Sequence, residues 1–136
     1  MSLDFVQPAE FAPAKGYANG VVGAGSLLFV AGQIGWQADQ SFATDDFIEQ
    51  FAQALDNVLA VVRAAGGHPS DIAEMTVYVT DIEEYRSRVK ELGPVWRERL
   101  AKHYPAMALV AVCALVEPRA KVEIQARAMI RKRGTL

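Results

Sequence analysis

The sequence contains very little cysteine and histidine, and it has no long apolar run. Cys113 is the one cysteine, so no intrachain disulfide can form, and its apolar neighbours favour a packed, unreactive thiol. The two histidines, His68 and His103, are too few for a metal site without a cysteine pair. No apolar stretch reaches the roughly 18 residues of a membrane span, and the first residues lack a signal-peptide pattern. These absences predict a cytoplasmic protein with no metal and no membrane contact.

An excess of one charge is also absent. Lys and Arg total 14 against 16 Asp and Glu, which gives a net charge of -2. The chain therefore lacks the excess of positive charge that is typical of nucleic-acid-binding proteins. The one basic cluster, at residues 131–133, is predicted to be a solvated tail. A chain of 136 residues is long enough to bury a substantial core, so we expect one domain over residues 1–136.

The most apolar part of the chain lies near its C-terminal end. Every residue from 106 to 116 is apolar, which predicts a strand buried on both faces in the middle of a sheet. Residues 122–130 alternate between apolar and polar, as a strand with one buried face does. A short connection containing Pro118 predicts a hairpin between these two strands. That pairing would place Glu123 beside the least polar strand of the protein.

The remaining elements follow from periodicity and from turn residues. The glycine-rich residues 23–26 predict a hairpin between two β-rich runs, and the first fifteen residues read as an extended lead-in. Gly93 and Pro94 predict a kink or a break in the second helix. In chain order, the prediction is strands over 17–22 and 27–34, a helix capped at 44–46 and ended at 66–67, a strand over 75–80, a helix over 83–102, and strands over 106–116 and 122–130.

This order, β-β-α-β-α-β-β, predicts an α+β domain in which two helices cover one face of a mixed sheet. The other face also carries apolar positions, which a symmetric oligomer would cover.

At the end of the second predicted strand, Gly32 and Gly35 flank Gln33. These glycines indicate either a close approach by another group or a simple strand end.

Five short motifs occur in this order: Tyr17, Ala31-Gly32-Gln33-Ile34, Tyr78-Val79-Thr80-Asp81, Pro105-Ala106 and Val122-Glu123-Ile124. Together they resemble the reactive-intermediate deaminase (Rid, YjgF-like) family, formerly labelled L-PSP endoribonucleases. The resemblance implies a chorismate-mutase-like fold and a homotrimer around a central barrel of sheets, with small-molecule clefts between subunits. It also implies hydrolysis of 2-imino acids to 2-keto acids and ammonia without a cofactor.

The resemblance assigns roles to individual residues. The family acid that positions the attacking water corresponds to Glu123, and the tyrosine of the cleft corresponds to Tyr17. The arginine that holds the substrate carboxylate corresponds to Met107. The serine before Gly-Gln corresponds to Ala31, and a small polar position corresponds to Leu109. Three polar groups of the family are therefore apolar here.

Two further residues complete the predicted binding set. Gly32 lies in the Ala-Gly-Gln motif, and Trp36 is a candidate aromatic wall of the cleft.

For Glu123 the alternative interpretation is a strand-edge acid paired to Lys121, to Arg127 or to solvent. A carboxylate can accept a proton from a water molecule that it positions, which is the chemistry that the site role needs.

Methionine cannot replace the hydrogen bonds of an arginine to a carboxylate, each worth about 1.5–3 kcal/mol. Either another cation binds the carboxylate, or the ligand has no carboxylate at that end. The candidate cations are Arg97, Arg99, Arg119, Arg127 and Lys15.

Three functions therefore remain open from the sequence. The first is a deaminase-like hydrolase that acts on an imine, an enamine or a related small metabolite. The second is a non-catalytic trimer that binds a small molecule. The third, a ribonuclease or translation inhibitor, is disfavoured by the net charge of -2 and by the lack of paired histidines.

Overall fold

The computed structural model describes residues 3–131 and confirms the α+β class. Both helices pack on one face of a mixed four-stranded sheet, and the core lies between them. The strand order in this sheet is β3-β6-β4-β5, and β1 and β2 form a separate two-stranded sheet. The elements are β1 (Asp4–Val6), β2 (Gly20–Val22), β3 (Ser26–Ile34), α1 (Phe47–Ala64), β4 (Ile72–Val79), α2 (Ile82–Leu100), β5 (Ala106–Ala111) and β6 (Val122–Ile130).

The apolar strand β5 is at the edge of the sheet, so the prediction that it is central is wrong. Apart from one isolated bridge between Ala18 and Ala106, it pairs within residues 3–131 with β4 alone, in parallel, while β6 pairs with β3 and β4 and occupies the interior. The reason is the helical crossover: β4, α2 and β5 form a βαβ unit, which places two parallel strands side by side. The predicted hairpin between β5 and β6 is therefore also wrong.

Residues 112–121 leave the sheet after β5 instead of extending it. Cys113 lies in this segment and is exposed, so the prediction of a packed thiol is wrong. The apolar run is thus half strand and half surface loop. A one-dimensional pattern could not distinguish the two, because both halves are equally apolar.

The first predicted hairpin is wrong as well. β2 pairs antiparallel with β1, which lies in the segment expected to be an extended lead-in. β3 instead pairs antiparallel with β6, from Ser26 opposite Ile130 to Ile34 opposite Glu123. The glycine-rich residues 23–26 therefore carry the chain from the small sheet to the large one. β3 joins the large sheet because the core lies there, and Val30 is buried in it.

Helix α1 begins and ends close to the predicted positions. The Asp46 carboxylate caps it by accepting a hydrogen bond from Glu49 N at 3.0 Å. Arg88 on α2 donates to the same carboxylate at 2.9 Å, and this hydrogen bond holds the pKa of Asp46 below its usual range. The two helices are therefore tied together where α1 starts.

Helix α2 is continuous through Pro94, so the alternative of two short helices is wrong. Leu92, Trp96 and Leu100 are buried at a spacing of four residues on both sides of the proline. Their packing on the core keeps one helix axis across a position that lacks a backbone N–H donor. No helix within residues 3–131 has the length and apolar character needed to cross a membrane.

The face of the sheet opposite the helices is uncovered in a single chain. Leu27, Phe29 and Val110 point to this face, and 44–65 % of their surface is exposed. The prediction that the second face of the sheet also carries apolar positions is therefore confirmed, and its cover by an oligomer stays a prediction. We call this surface the open face.

The predicted solvated tail begins one residue too early. Arg131 donates from Nε to Asp71 at 2.7 Å, and the Asp71 side chain is fully buried. The cause is its position directly after β6, which brings it beside the turn at Pro69–Asp71 before β4. Lys132 and Arg133 lie outside the described residues.

Candidate functional site

Glu123 projects from β6 onto the open face. Val122 and Ile124, its neighbours in sequence, are fully buried on the helix side, so the strand alternation directs Glu123 the other way. In the ladder it lies opposite Tyr78 of β4 and Ile34 of β3. Its side chain is half-buried.

Gly32 explains how the Glu123 carboxylate fits against β3. The strand register shifts between Val30 and Gln33, and Gly32 lies in this bulge. A Cβ atom at residue 32 would be 2.7 Å from Glu123 Cδ, so any side chain there would force the Glu123 carboxylate to move. Of the two interpretations of this glycine, the close approach is therefore right. Gly35 is similar, because a Cβ there would be 2.8 Å from Gln50 Cα.

The Glu123 carboxylate forms no hydrogen bond or ion pair with any of residues 3–131. Arg127, one of its two candidate partners, pairs with Glu74 and lies over the ring of Phe29. Lys121, the other candidate, forms no ion pair in the described part of the chain. Pairing of Glu123 to Lys121 or to Arg127 is therefore excluded within the described chain, whereas the third alternative, a strand-edge acid that faces solvent, is not contradicted. The Glu123 oxygens can accept hydrogen bonds from water or a ligand.

Gln50 is a buried polar residue of this region that the sequence analysis missed. It is fully buried, and its amide donates to Thr44 O at 3.1 Å and to Arg119 O at 3.0 Å. Its carbonyl oxygen accepts from Lys121 N at 2.9 Å. These bonds fix the backbone two residues before Glu123. The available signal was a glutamine three residues after Phe47, within an otherwise apolar helical stripe.

Tyr17, Met107 and Leu109 lie at the other edge of the sheet. Tyr17 is 43 % exposed and precedes Ala18, which bridges in parallel to Ala106 at the start of β5. Met107 and Leu109 point to the helix side, opposite Met75 and Val77 of β4, and pack partly against the core.

An apolar groove of about 240 Å³ separates β5 from α2. Tyr104 lies at its edge, with its ring stacked on that of Trp96 at a centroid distance of 5.9 Å. No charged residue lines the groove among the described residues. Its lining includes Val89, Leu92, Gly93, Trp96, Met107 and Leu109.

Trp36 lies with neither Glu123 nor Met107. Its ring contacts that of Phe42 at 6.2 Å, and its backbone oxygen accepts from Asn57 Nδ2 at 2.8 Å. These contacts hold the loop after β3 against α1. Within one chain, Trp36 therefore packs locally.

The predicted site residues thus form two separate groups in one chain. Ala31, Gly32 and Glu123 belong to β3 and β6, while Met107 and Leu109 belong to β5 at the far edge. The groups also face opposite ways, because Glu123 lies on the open face and Met107 on the helix face. Within one chain the two groups therefore do not line the same cleft.

The candidate cations differ in how they are engaged. Arg99 pairs with Asp56 at 2.7 Å, and Arg119 pairs with Asp45 at 2.9 Å. Arg97 lies beside the groove, where a Cβ at Gly93 would be 3.0 Å from Arg97 Nη1.

Within residues 3–131, no group of three or more His, Cys, Asp or Glu side chains is arranged to hold a metal ion.

Comparison with known proteins gives consistent matches over nearly the whole chain. The family model described as Endoribonuclease L-PSP matches residues 7–130. The 2-iminobutanoate/2-iminopropanoate deaminase of Salmonella typhimurium is 33 % identical over 124 residues, which cover 91 % of this chain and 92 % of that protein. The RutC family protein y4sK of Sinorhizobium fredii is 35 % identical over 114 residues, covering 83 % and 86 % of the two chains.

Solved structures share the fold. The Rid family protein YyfB from Yersinia pestis superposes with a TM-score of 0.82 at 26 % identity, covering 96 % of this chain and 100 % of that one. The YjgF gene product of E. coli gives 0.69 at 33 % identity, covering 92 % and 93 %. With the family model and the relatives in agreement, this chain belongs to the Rid (YjgF-like) family, whose model carries the older description Endoribonuclease L-PSP.

Proposed function

We propose that this protein is a cofactor-independent hydrolase that converts an imine or enamine metabolite to a carbonyl compound and ammonia. The sites lie between the subunits of a homotrimer. In each site, the Glu123 carboxylate of one subunit faces the β5 edge of a neighbour. Family membership and a relative named as a 2-iminobutanoate/2-iminopropanoate deaminase support this proposal.

The observation that carries the proposal is the unpaired, half-buried carboxylate of Glu123 beside Gly32. A carboxylate that is partly withdrawn from water is costly unless it is used or solvated. The bulge at Gly32 gives it space that any other residue would fill. Such an acceptor can orient a water molecule and take its proton.

The chemistry is an addition followed by an elimination. Water held by Glu123 attacks the imine carbon, and the carboxylate receives the proton that the water loses. That proton passes to nitrogen and gives the neutral carbinolamine. Glu123 then takes the hydroxyl proton and delivers it to nitrogen as the C–N bond breaks, so the hydroxyl oxygen becomes the carbonyl oxygen and ammonia leaves. The reaction consumes one water and no redox equivalent, so no cofactor is needed.

A non-catalytic binding trimer is the second candidate, and the apolar residues at positions 31, 107 and 109 favour it. A measurement of ammonia release from a freshly generated imino acid distinguishes the two candidates. A hydrolase liberates ammonia faster than the buffer reaction, whereas a binder is only stabilised by its ligand. The ribonuclease interpretation is disfavoured by the net charge of -2.

The oligomer gives the first test. Sedimentation should yield three times the chain mass of 14.8 kDa. Val110→Glu, which places a charge on the open face, is expected to dissociate the trimer because the charge would be buried in the interface. Val116→Glu is the matched control, since Val116 is 96 % exposed and lies outside the sheet. A wild-type mass near 14.8 kDa would refute the trimer and the shared site.

Met107 gives the second test. We expect slow hydrolysis of 2-iminopropionate by the wild-type protein, because Met107 offers its carboxylate no hydrogen bond. Met107→Arg combined with Ala31→Ser should raise that rate about 10-fold or more, as one charge-assisted hydrogen bond is worth about 1.5–3 kcal/mol. The assay compares ammonia release at equal trimer content. Equal rates for wild type and double variant would mean that Met107 does not limit this substrate.

A further inference from the structure

We propose that Arg97 and the apolar groove between α2 and β5 together bind a carboxylate ligand with an apolar body. This inference rests on the proposed function for the imine and adds the class of substrate. The favoured substrates are 2-imino acids with a branched or aromatic side chain. Arg97 contacts the carboxylate, and the groove holds the side chain.

The groove itself selects an uncharged group. Its walls come from aliphatic and aromatic side chains, and none of its described lining residues is charged. Its volume of about 240 Å³ is enough for a six-membered ring with a short chain. The parallel rings of Trp96 and Tyr104 add a flat apolar surface at one side. A charged group at the bottom of this groove would lose its hydration without a partner.

Arg97 supplies a positive charge at the rim. It is exposed, and its Nη1 lies directly over Gly93, one of the groove-lining residues. The missing side chain at Gly93 gives the guanidinium this position, since a Cβ there would be in tight contact with it. The Arg97 side chain forms no hydrogen bond or ion pair with residues 3–131. Its donors are therefore available to a ligand.

The other candidate cations are less suited to this role. Arg99, Arg119 and Arg127 each pair with an acid, at Asp56, Asp45 and Glu74 respectively. None of the five cations lines the groove itself, but Arg97 lies against Gly93 and Lys15 precedes Gly16, and both glycines line it. Arg97 and Lys15 both have unused donors beside a groove-lining residue in the described chain. Of the two, only Arg97 presents a planar guanidinium fork that matches the two oxygens of a carboxylate.

The proposal also accounts for the change at residue 107. An apolar Met107 extends the groove, so it favours a large side chain where an arginine would favour a carboxylate. A small imino acid such as 2-iminopropionate fills little of the groove and gains little from it. A larger one buries apolar surface there while its carboxylate reaches Arg97.

The test measures binding of phenylacetate to the full chain by calorimetry. Phenylacetate should bind, whereas acetate, which lacks the ring, and phenylacetamide, which lacks the charge, should each bind at least about 10-fold more weakly. Arg97→Ala should weaken phenylacetate binding by about 10- to 100-fold and leave phenylacetamide unchanged. Arg97→Gln keeps most of the side-chain length and should give the same loss.

Arg63→Ala is the matched control, because Arg63 also lies exposed in the last turn of a helix but far from the groove lining. It should leave phenylacetate binding unchanged. Equal binding to wild type and Arg97→Ala would overturn the proposal, as would equal binding of acetate and phenylacetate or an equal loss in Arg63→Ala. Ammonia release from 2-imino-3-phenylpropanoate separates the two proposals. Release that is insensitive to Arg97 refutes this inference alone, whereas binding through Arg97 without release refutes the hydrolase alone.

Discussion

Glu123→Gln is expected to lower the rate of imine hydrolysis by about two to four orders of magnitude, the usual effect of losing a positioned general base. Glutamine is nearly isosteric, so it fills the same space beside Gly32. Its amide can still hydrogen-bond water but cannot take the proton that the water loses. The measurement is ammonia and keto-acid release from a freshly generated 2-imino acid, at equal concentration of assembled protein.

Gly32→Ala provides an independent change at the same place. The added methyl group overlaps the present position of the Glu123 side chain, so the carboxylate must move while its charge remains. We expect a similar loss of rate with the fold retained. Glu83→Gln, on the exposed surface of α2, is the control for a lost carboxylate. Unchanged turnover in Glu123→Gln would assign Glu123 to the surface and remove the proposed mechanism.

Asp71→Ala is expected to destabilise the fold by about 3 kcal/mol, equivalent to a decrease of roughly 10 °C in melting temperature. Asp71 is fully buried, and it accepts from Arg131 Nε at 2.7 Å and from His68 N at 2.9 Å. The substitution leaves a largely buried guanidinium and a backbone N–H without their acceptor. It also releases the end of β6 from the turn before β4.

The control is an equivalent ion pair on the surface. Arg86 and Glu83 pair at 2.7 Å with 65 % and 77 % of their side chains exposed, so Glu83→Ala should change stability by less than about 1 kcal/mol. Thermal unfolding at one fixed protein concentration compares the two variants, because assembly also affects the melting temperature. Equal losses for Asp71→Ala and Glu83→Ala would contradict a structural role of the buried pair.

Part of the candidate site was accessible from the sequence. Alternation in β6 places Glu123 on the face opposite Val122 and Ile124, and the structure agrees. Two glycines around Gln33 indicated either a close approach or a simple strand end, and only the structure shows the close approach of Glu123 to Gly32. Gln50 was not recognised, because the helical period marks a position as buried without showing which backbone groups a buried amide would meet.

The sequence by itself determined the local elements of this protein. Helical spacing from Phe47 to Val62 and the cap at Asp46 define α1, and strand alternation defines the two faces of β6. These features follow the period of 3.6 residues in a helix and of 2 residues in a strand. Residues that are close together in the chain are therefore enough to specify them.

Only the tertiary structure decided which strands pair. Both predicted hairpins are absent, since β2 pairs with β1, and β6 inserts between β3 and β4. Pairing depends on contacts between residues that are far apart in the chain, and a local turn signal such as residues 23–26 cannot specify them. The same long-range packing places β5 at an edge, directs Met107 toward α2, and puts Glu123 on the other face. The two halves of the proposed cleft are therefore separated in one chain. The cause is long-range strand pairing, which a local sequence pattern does not contain.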